Sequence, residues 1–425
     1  MGLKTEKRMK KLLQINPVLR ISTSTGRIMQ EIGDLARQEG WDCYMAYSGG
    51  RDGVPESRFH LLPVGNRWSV VQHGVMTRLF DRHGLASAAA TREFVHQIEH
   101  IRPDIIHIHN IHGYFLHYGV LFDYLATAGI PVVWTVHDCW LYTGHCYYYS
   151  YVGCERWKTG CGHCPQQRSF PASYLCDRSA QNFRDKAAAF TSLLPDGLTL
   201  VPVSEWIAGE LRQSFFREAK MQVIHNGIDT GVFQPYETEA VKRKYGLEGR
   251  KVILGLASIW SREKGLDDFY RMAQMLKEDE VIVLVGVDER LQKQLPKNMM
   301  GIRRTENVRQ LAELYAAAEA FVNPTWQDNY PTVNLEAIAC GTPVVTYRTG
   351  GSVEAVTPDT GFIVEKGDVE GLLNAVRQTS CRGKEYFRDR CRAYALAHFR
   401  KEDRYRDYLK LYEELLTATT DGKPL

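Results

Sequence analysis

Asn323-Pro324-Thr325-Trp326-Gln327-Asp328-Asn329-Tyr330-Pro331-Thr332-Val333-Asn334-Leu335-Glu336-Ala337 follows the apolar run Ala320–Val322 and leads into a helical pattern. A strand, a polar turn and a helix in this order make one unit of a parallel α/β sheet. Pro331 suits the first helical turn, where its missing N–H costs nothing. The N–H groups around Thr332, Val333 and Asn334 then stand at the positive end of a helix, which is a site for an anion. Glu336, about one turn further in, is placed as acidic residues are when they take a ribose diol in nucleotide-binding α/β folds. The plainer alternative makes Asp328 a capping carboxylate and Glu336 a surface helix residue.

Two further turns in the same half of the chain have this character. Ser258-Ile259-Trp260-Ser261-Arg262-Glu263-Lys264-Gly265 follows a strand and opens a helix, which puts Arg262 and Lys264 at the C-terminal edge of a sheet. Open α/β sheets bind their ligands at that edge. Thr349-Gly350-Gly351-Ser352 adds a glycine turn that permits close backbone approach to a ligand, or serves turn geometry alone. Three phosphate-compatible turns in one domain point to a phosphorylated ligand.

Outward from these turns, short apolar runs alternate with helical patterns almost from end to end. Strands are predicted at Leu12–Ile15, Cys43–Tyr47, Ile105–Ile108, Val132–Val136, Leu200–Val203 and Gln222–Ile224. A second set is predicted at Val252–Leu256, Val281–Val285, Ala320–Val322, Pro343–Thr346 and Phe362–Val364. Helices are expected at Gln30–Gln38, Thr91–Ile101, Gly265–Lys277, Asn307–Ala318 and Arg400–Leu416. The expected fold class is α/β, with two doubly wound Rossmann-like domains facing across a cleft. The joint is His225-Asn226-Gly227-Ile228-Asp229, because Asn-Gly forms turns and Pro235 discourages regular structure just beyond. The expected divisions are 12–229, 230–395 and a helix in 396–425 returning toward the first domain.

Composition excludes several classes. A net charge of +3 over 425 residues, with 24% charged and 44% hydrophobic residues, is too mild for a nucleic-acid binder. No apolar run reaches the roughly 20 residues that span a bilayer. Met1–Lys11 is basic but lacks the apolar core of a secretory signal, so the expected location is the cytoplasm. That segment is read as a solvated tail, or as a weak contact with an anionic membrane surface.

Six of the ten cysteines fall between Cys139 and Cys176. Cys161-Gly162-His163-Cys164 has the spacing with which two thiolates reach one tetrahedral ion. Cys146 and Cys154 complete a four-thiolate set, and His145 or His163 are substitute ligands. The loop 141–171 has little apolar patterning, so a structural zinc ion would order it where a core does not. The alternatives are unligated buried thiols and redox chemistry.

The set Asp328, Glu336, Gly341–Val345, Gly350-Gly351, the Asn226-Gly227-Ile228-Asp229 joint and the Lys264-Gly265 turn resembles the retaining glycosyltransferases of family 4, with the GT-B fold. The resemblance extends over roughly Leu12 to Leu416, and the Asp-Asn-Tyr-Pro form and Cys-rich loop resemble a bacterial polysaccharide-assembly subgroup. It implies that 230–395 binds a nucleotide-sugar (UDP or GDP) and that 12–229 is the acceptor side. Glu336 would bind the ribose, Lys264 the diphosphate, and Asp328 would face the donor sugar; Arg262, Asn329, Thr332, Val333, Asn334, Gly350 and Gly351 complete the donor set. The family carries Glu where Asp328 stands, and often Arg where Ile259 stands, a role left to Arg262.

In the first domain, Ser24-Thr25-Gly26-Arg27 occupies the turn after the first strand, where the family places a loop near the diphosphate and acceptor. His137, followed by Asp138, ends a strand where the family expects a histidine near the donor sugar. His107, His109 and His112 read as a polar cleft wall, and Ile302–Arg304 as a neighbour of the base. The implied reaction is retaining transfer to an acceptor hydroxyl without a catalytic metal, a donor phosphate oxygen taking the proton. The implied acceptor is a lipid-linked oligosaccharide at the inner face of the plasma membrane, as in exopolysaccharide or O-antigen assembly. Alternatives are a sugar-nucleotide epimerase or phosphorylase on the same fold, and a non-catalytic scaffold using the Cys-rich loop.

Overall fold

The computed structural model describes residues 8–21, 23–50 and 57–420. They form two compact units: residues up to Ile224 together with those from Tyr405, and His225–Arg404. Each unit is built on one parallel sheet. Basic residues 4 and 7 of the N-terminal segment lie outside the described residues; Arg8 pairs with Asp104 at 3.5 Å, and Lys10 pairs with Glu413. None of the described helices is long and apolar enough to cross a membrane.

The first sheet contains β1 (Lys11–Ile15), β2 (Asp42–Ser48), β3 (His60–Val64), β4 (Ile105–Ile108), β5 (Val132–Val136), β6 (Leu198–Pro202) and β7 (Lys220–Met221). Their spatial order is β3-β2-β1-β4-β5-β6-β7. Every residue of β4 and β5 is buried, as expected for central parallel strands covered on both faces by helices. The pairing direction therefore follows from composition: runs such as Val132-Val133-Trp134-Thr135-Val136 have no face fit for water.

Helix Ser24–Gln38 crosses from β1 to β2 and buries Ile28, Met29, Ile32 and Ala36 against the sheet. Thr23 caps it by accepting from the Gly26 N–H at 3.3 Å. Ser24, Thr25, Gly26 and Arg27 thus form the first helical turn, and the loop that precedes them is shorter than the sequence suggests. At the other end of the chain, helix Lys401–Thr420 sends Tyr405, Tyr408, Leu409 and Tyr412 into the same core as Ile28, Ile32, Val133 and Val201. The Tyr412 hydroxyl meets His107 Nδ1 at 2.7 Å, and Thr135 Oγ1 bonds the Tyr408 hydroxyl at 3.1 Å.

The second sheet contains β8 (Lys251–Leu256), β9 (Glu280–Val285), β10 (Met299–Ile302), β11 (Ala320–Asn323), β12 (Val344–Tyr347) and β13 (Gly361–Val364). The order is β10-β9-β8-β11-β12-β13. The Asn226-Gly227 joint lies inside this unit, where Ile228 bridges Arg400. A Cβ on Gly227 would stand 2.5 Å from the Lys401 Cα, so only glycine permits the approach.

In each sheet the order of strands reverses once, between β1 and β4 and between β8 and β11. Such reversals open a crevice beyond the carboxyl ends of the two strands, where α/β folds bind ligands. The two places to search are therefore the loops after β1 and β4, and those after β8 and β11.

Candidate active site

The loops after β8 and β11 meet through an ion pair. Lys264 Nζ stands 2.7 Å from Asp328 Oδ2, with the carboxylate mostly buried and the ammonium partly exposed. Three hydrogen bonds fix this geometry, two of them to one backbone carbonyl. Trp326 N–H donates to the Glu263 carbonyl at 2.8 Å, Thr325 Oγ1 donates to the same oxygen at 3.3 Å, and Trp326 Nε1 donates to Asp268 at 2.7 Å. Gly265, at φ +76°, lies so close to the β11 end that a Cβ would meet the Pro324 oxygen at 2.3 Å. The second oxygen of Asp328 accepts the Asn329 N–H at 3.1 Å. Arg262 turns away to Asp267 at 3.2 Å, both largely exposed.

Pro331 occupies the capping position rather than the first turn of helix Thr332–Ala339, and offers no side-chain cap. The N–H groups of Thr332 and Val333 are first-turn groups without an intrahelical acceptor. The buried Asn334 fastens this end of the helix to the Gly350–Val353 turn. Its amide donates to the Ser352 carbonyl at 3.0 Å and accepts from Asn323 Nδ2 at 2.9 Å. Thr346 Oγ1 closes the ring by bonding the Asn323 carbonyl and Ser352 Oγ, both at 2.8 Å. Gly350 takes φ +50° at the start of that turn.

Glu336 is buried and accepts from the Tyr315 hydroxyl at 3.2 Å. The sequence marks His225 and Asn226 only as parts of the joint and gives no sign of Glu354. His225 stacks on Tyr330 at 4.7 Å and meets Glu354 at 3.2 Å, and Asn226 Nδ2 reaches the Tyr330 carbonyl at 3.5 Å. Arg303, in the segment expected near the base, pairs with Glu289 at 2.9 Å.

In the first unit, the loops after β4 and β5 assemble a histidine–carboxylate network. His137 Nε2 lies 3.3 Å from His109 Nδ1, and the rings stack at 5.6 Å; His109 Nε2 in turn reaches Gln14 Oε1 at 3.0 Å. His107 Nε2 bonds Thr135 Oγ1 at 2.7 Å. Burial pushes His137 down to about 4 and His107 down to about 3, so both are neutral imidazoles near neutral pH. Asp138 behaves oppositely. Burial alone would raise its pKa, but His112 at 2.9 Å and the Trp140 N–H at 2.9 Å hold the carboxyl below its ordinary value. Residues 109–112 and 134–138 line one small pocket. Neutral donors and acceptors beside one fixed carboxylate suit recognition of hydroxyl groups.

The Cys-rich loop packs into the core of the first unit, contrary to its sparse apolar pattern. Trp140, Tyr142, Tyr149 and Trp157 are buried, with Tyr149 and Trp157 stacked at 4.9 Å. Aromatic rings spaced without periodicity supply here what a helix or strand pattern usually announces. Cys146, Cys154, Cys161 and Cys164 line one cavity with His145. Among the described residues, no three His, Cys, Asp or Glu side chains stand in metal-holding geometry.

Residues 25–232 match the family described as Glycosyltransferase Family 4, and residues 250–380 match that described as Glycosyl transferases group 1. WcaC of Escherichia coli (strain K12), named as a glycosyl transferase of colanic acid biosynthesis, is 24% identical over 376 residues, covering 85% of this chain and 89% of that one. Among solved structures, sucrose-phosphate synthase from Thermosynechococcus elongatus superposes with a TM-score of 0.71 at 18% identity, over 96% of this chain and 100% of that one. HepE of Anabaena, in complex with UDP-glucose, superposes with a TM-score of 0.65 at 15% identity, over 95% and 99%.

Proposed function

The chain belongs to glycosyltransferase family 4, a GT-B enzyme of two Rossmann-like parallel sheets, and from that premise we propose that it moves a glycosyl unit from a nucleoside diphosphate sugar to an acceptor hydroxyl with retention at the anomeric carbon. The observation that carries the reading is the Lys264–Asp328 pair at the strand reversal of the second sheet, beside the N-terminus of helix Thr332–Ala339. A lysine and free helix N–H groups are complementary to a leaving diphosphate, and fixed charges of this kind often dominate catalysis. Lys264 is assigned to the diphosphate, Glu336 to the ribose and Asp328 to the donor sugar. Asn329, Thr332, Val333, Asn334, Gly350 and Gly351 shape the same turn, with Arg262 at its outer edge.

In the first unit, His137 is assigned to the sugar, and Asp138 with Ser24–Arg27 to the diphosphate and acceptor. No side chain is assigned as a nucleophile and no step is given to a catalytic metal. UDP is the favoured nucleotide because HepE holds UDP-glucose on the same fold; GDP is the second candidate. The acceptor is a growing lipid-linked glycan at the inner face of the membrane; the name of WcaC supports the polysaccharide-assembly part of this reading.

Thermal stabilisation by UDP, GDP, ADP and their common sugar derivatives tests this. Stabilisation by one nucleotide class that disappears in Glu336→Ala fixes the donor. No stabilisation by any of them in the wild type removes the transferase reading in favour of a scaffold.

A further inference from the structure

Two buried cationic or donor groups border the Cys-rich loop, and one of them lacks a partner that burial demands. His145 is 2% exposed; its Nδ1 bonds Asp81 Oδ1 at 2.7 Å, while Nε2 meets no hydrogen-bond partner. Lys186 is 1% exposed; its ammonium donates to the carbonyls of Trp140 and Thr143, at 2.7 and 2.9 Å, and lies 3.4 Å from the centre of the Trp140 ring. These carbonyls and the ring face solvate the ammonium but bring no full negative charge to it.

Both groups border the same cysteines. Lys186 lies within electrostatic range of Cys161 and Cys146, and His145 of Cys164. His145 and the four cysteines line a cavity of about 20 Å³, room for one water-sized particle. The Gly144 N–H already points at Cys161 Sγ at 3.2 Å, and the Cys146 thiol donates to the Cys164 sulfur.

We infer that Cys146, Cys154, Cys161 and Cys164 form a structural site for one tetrahedral soft cation, zinc by ligand type, whose negative metal–thiolate charge is the partner of His145 and Lys186. Four thiols release four protons and bind one divalent ion, so the set carries a net charge of about −2. His145 Nε2–H then donates to a metal-bound sulfur, with Asp81 orienting the ring from behind by its bond to Nδ1. The S–H···S bond between Cys146 and Cys164 gives way to two sulfur–metal bonds. Asp81 also accepts the Arg178 N–H at 2.9 Å and, through its carbonyl, Asn182 Nδ2 at 2.8 Å. The site therefore ties the loop to helices Arg67–Phe80 and Ser179–Thr191. No three donors stand in holding geometry as they lie, so coordination must turn the cysteine side chains inward. Bound-metal stoichiometry is therefore the deciding measurement.

The full chain is purified without chelator and its metal content measured, then cobalt(II) is exchanged into it. The expected result is about one zinc per chain, and a cobalt spectrum with thiolate charge-transfer and intense tetrahedral d–d bands. Cys161→Ser combined with Cys164→Ser loses the metal, while Cys381→Ser, on the exposed surface, keeps it. Substoichiometric zinc, a cobalt spectrum without thiolate bands, or retention of zinc by the double variant overturns the site. Metal held undiminished by Cys154→Ser overturns the four-thiolate assignment in favour of His145 as ligand. The wild-type spectrum decides even where a variant fails to fold, and none of these readouts depends on glycosyl transfer.

Discussion

Lys264 and Asp328, 64 positions apart in the chain, are held 2.7 Å from each other by the adjacency of β8 and β11. Each leaves part of its hydrogen-bonding capacity for a ligand, since an ammonium has three donors and a carboxylate about four acceptor sites. Lys264→Ala is expected to lower kcat/KM by on the order of 10²–10³, as loss of a transition-state charge contact does. Asp328→Asn, which keeps the shape, should lower kcat more than it weakens binding of the free nucleotide. Steady-state kinetics with calorimetry of nucleotide binding checks both, and an unchanged kcat in Lys264→Ala would remove Lys264 from the chemistry.

Tyr315 steadies Glu336 from the buried side of the helix through its hydroxyl at 3.2 Å. Tyr315→Phe keeps the ring and removes the bond, at a stability cost of about 1 kcal/mol. Nucleotide affinity should fall several-fold while the sugar specificity stays the same. Equal affinity in wild type and variant would mean that Glu336 needs no such support.

Gly265 is the residue on which the Lys264 turn depends. Gly265→Ala places a Cβ 2.3 Å from the Pro324 oxygen at a φ of +76°, and positive-φ glycines lose more than about 1 kcal/mol on such a change. A lower Tm together with weaker nucleotide binding is expected. Arg262→Ala, on the exposed side of the same turn, should leave Tm within a degree or so of wild type by the small cost of surface substitutions. A differential scanning comparison of the two variants separates backbone strain from charge loss.

Low pH should destabilise the first unit through its histidines. Burial lowers His137 to about 4 and His107 to about 3, whereas both titrate near 6.5 in an unfolded chain. Between those values the unfolded state binds more protons, so stability rises with pH there and is lost as pH falls below about 6.5. Asp138, held low by His112, adds loss in the same direction at more acidic pH. His107→Gln should flatten the dependence of Tm on pH between 7 and 5, and parallel slopes in wild type and variant would contradict the assignment.

Much of this architecture is legible in the residue order because parallel strands buried on both faces must be apolar throughout. Ile105–Ile108 and Val132–Val136 fall where the pattern places them. β3, His60–Val64, escapes notice because an edge strand with Pro63 and partly exposed positions carries neither alternation nor a continuous apolar run. The edge strand expected at Gln222–Ile224 sits at Lys220–Met221, although Gln222 and Ile224 still donate to Leu200 and Pro202. Ser24–Arg27 reads as a turn because its first apolar contact comes only at Ile28. In the candidate site, Lys264, Asp328 and Glu336 stand out through their turns. Tyr315, which bonds Glu336, and Glu354, which meets the His225 stacked on Tyr330, come from elements distant in sequence, where no local pattern points to them.

The tyrosines of the last helix have a consequence for biosynthesis. Tyr405, Tyr408 and Tyr412 complete the core around His107 and Thr135, yet a ribosome makes them some 270 residues after Thr135, as the separation of Thr135 and Tyr408 records. Nascent domains ordinarily fold in the order in which they emerge. Here the second unit has its whole sequence available first, while the earlier-made sheet waits with an apolar face uncovered. Premature termination anywhere before Tyr405 would therefore leave the oldest part of the polypeptide, rather than the newest, exposed to chaperones and proteases.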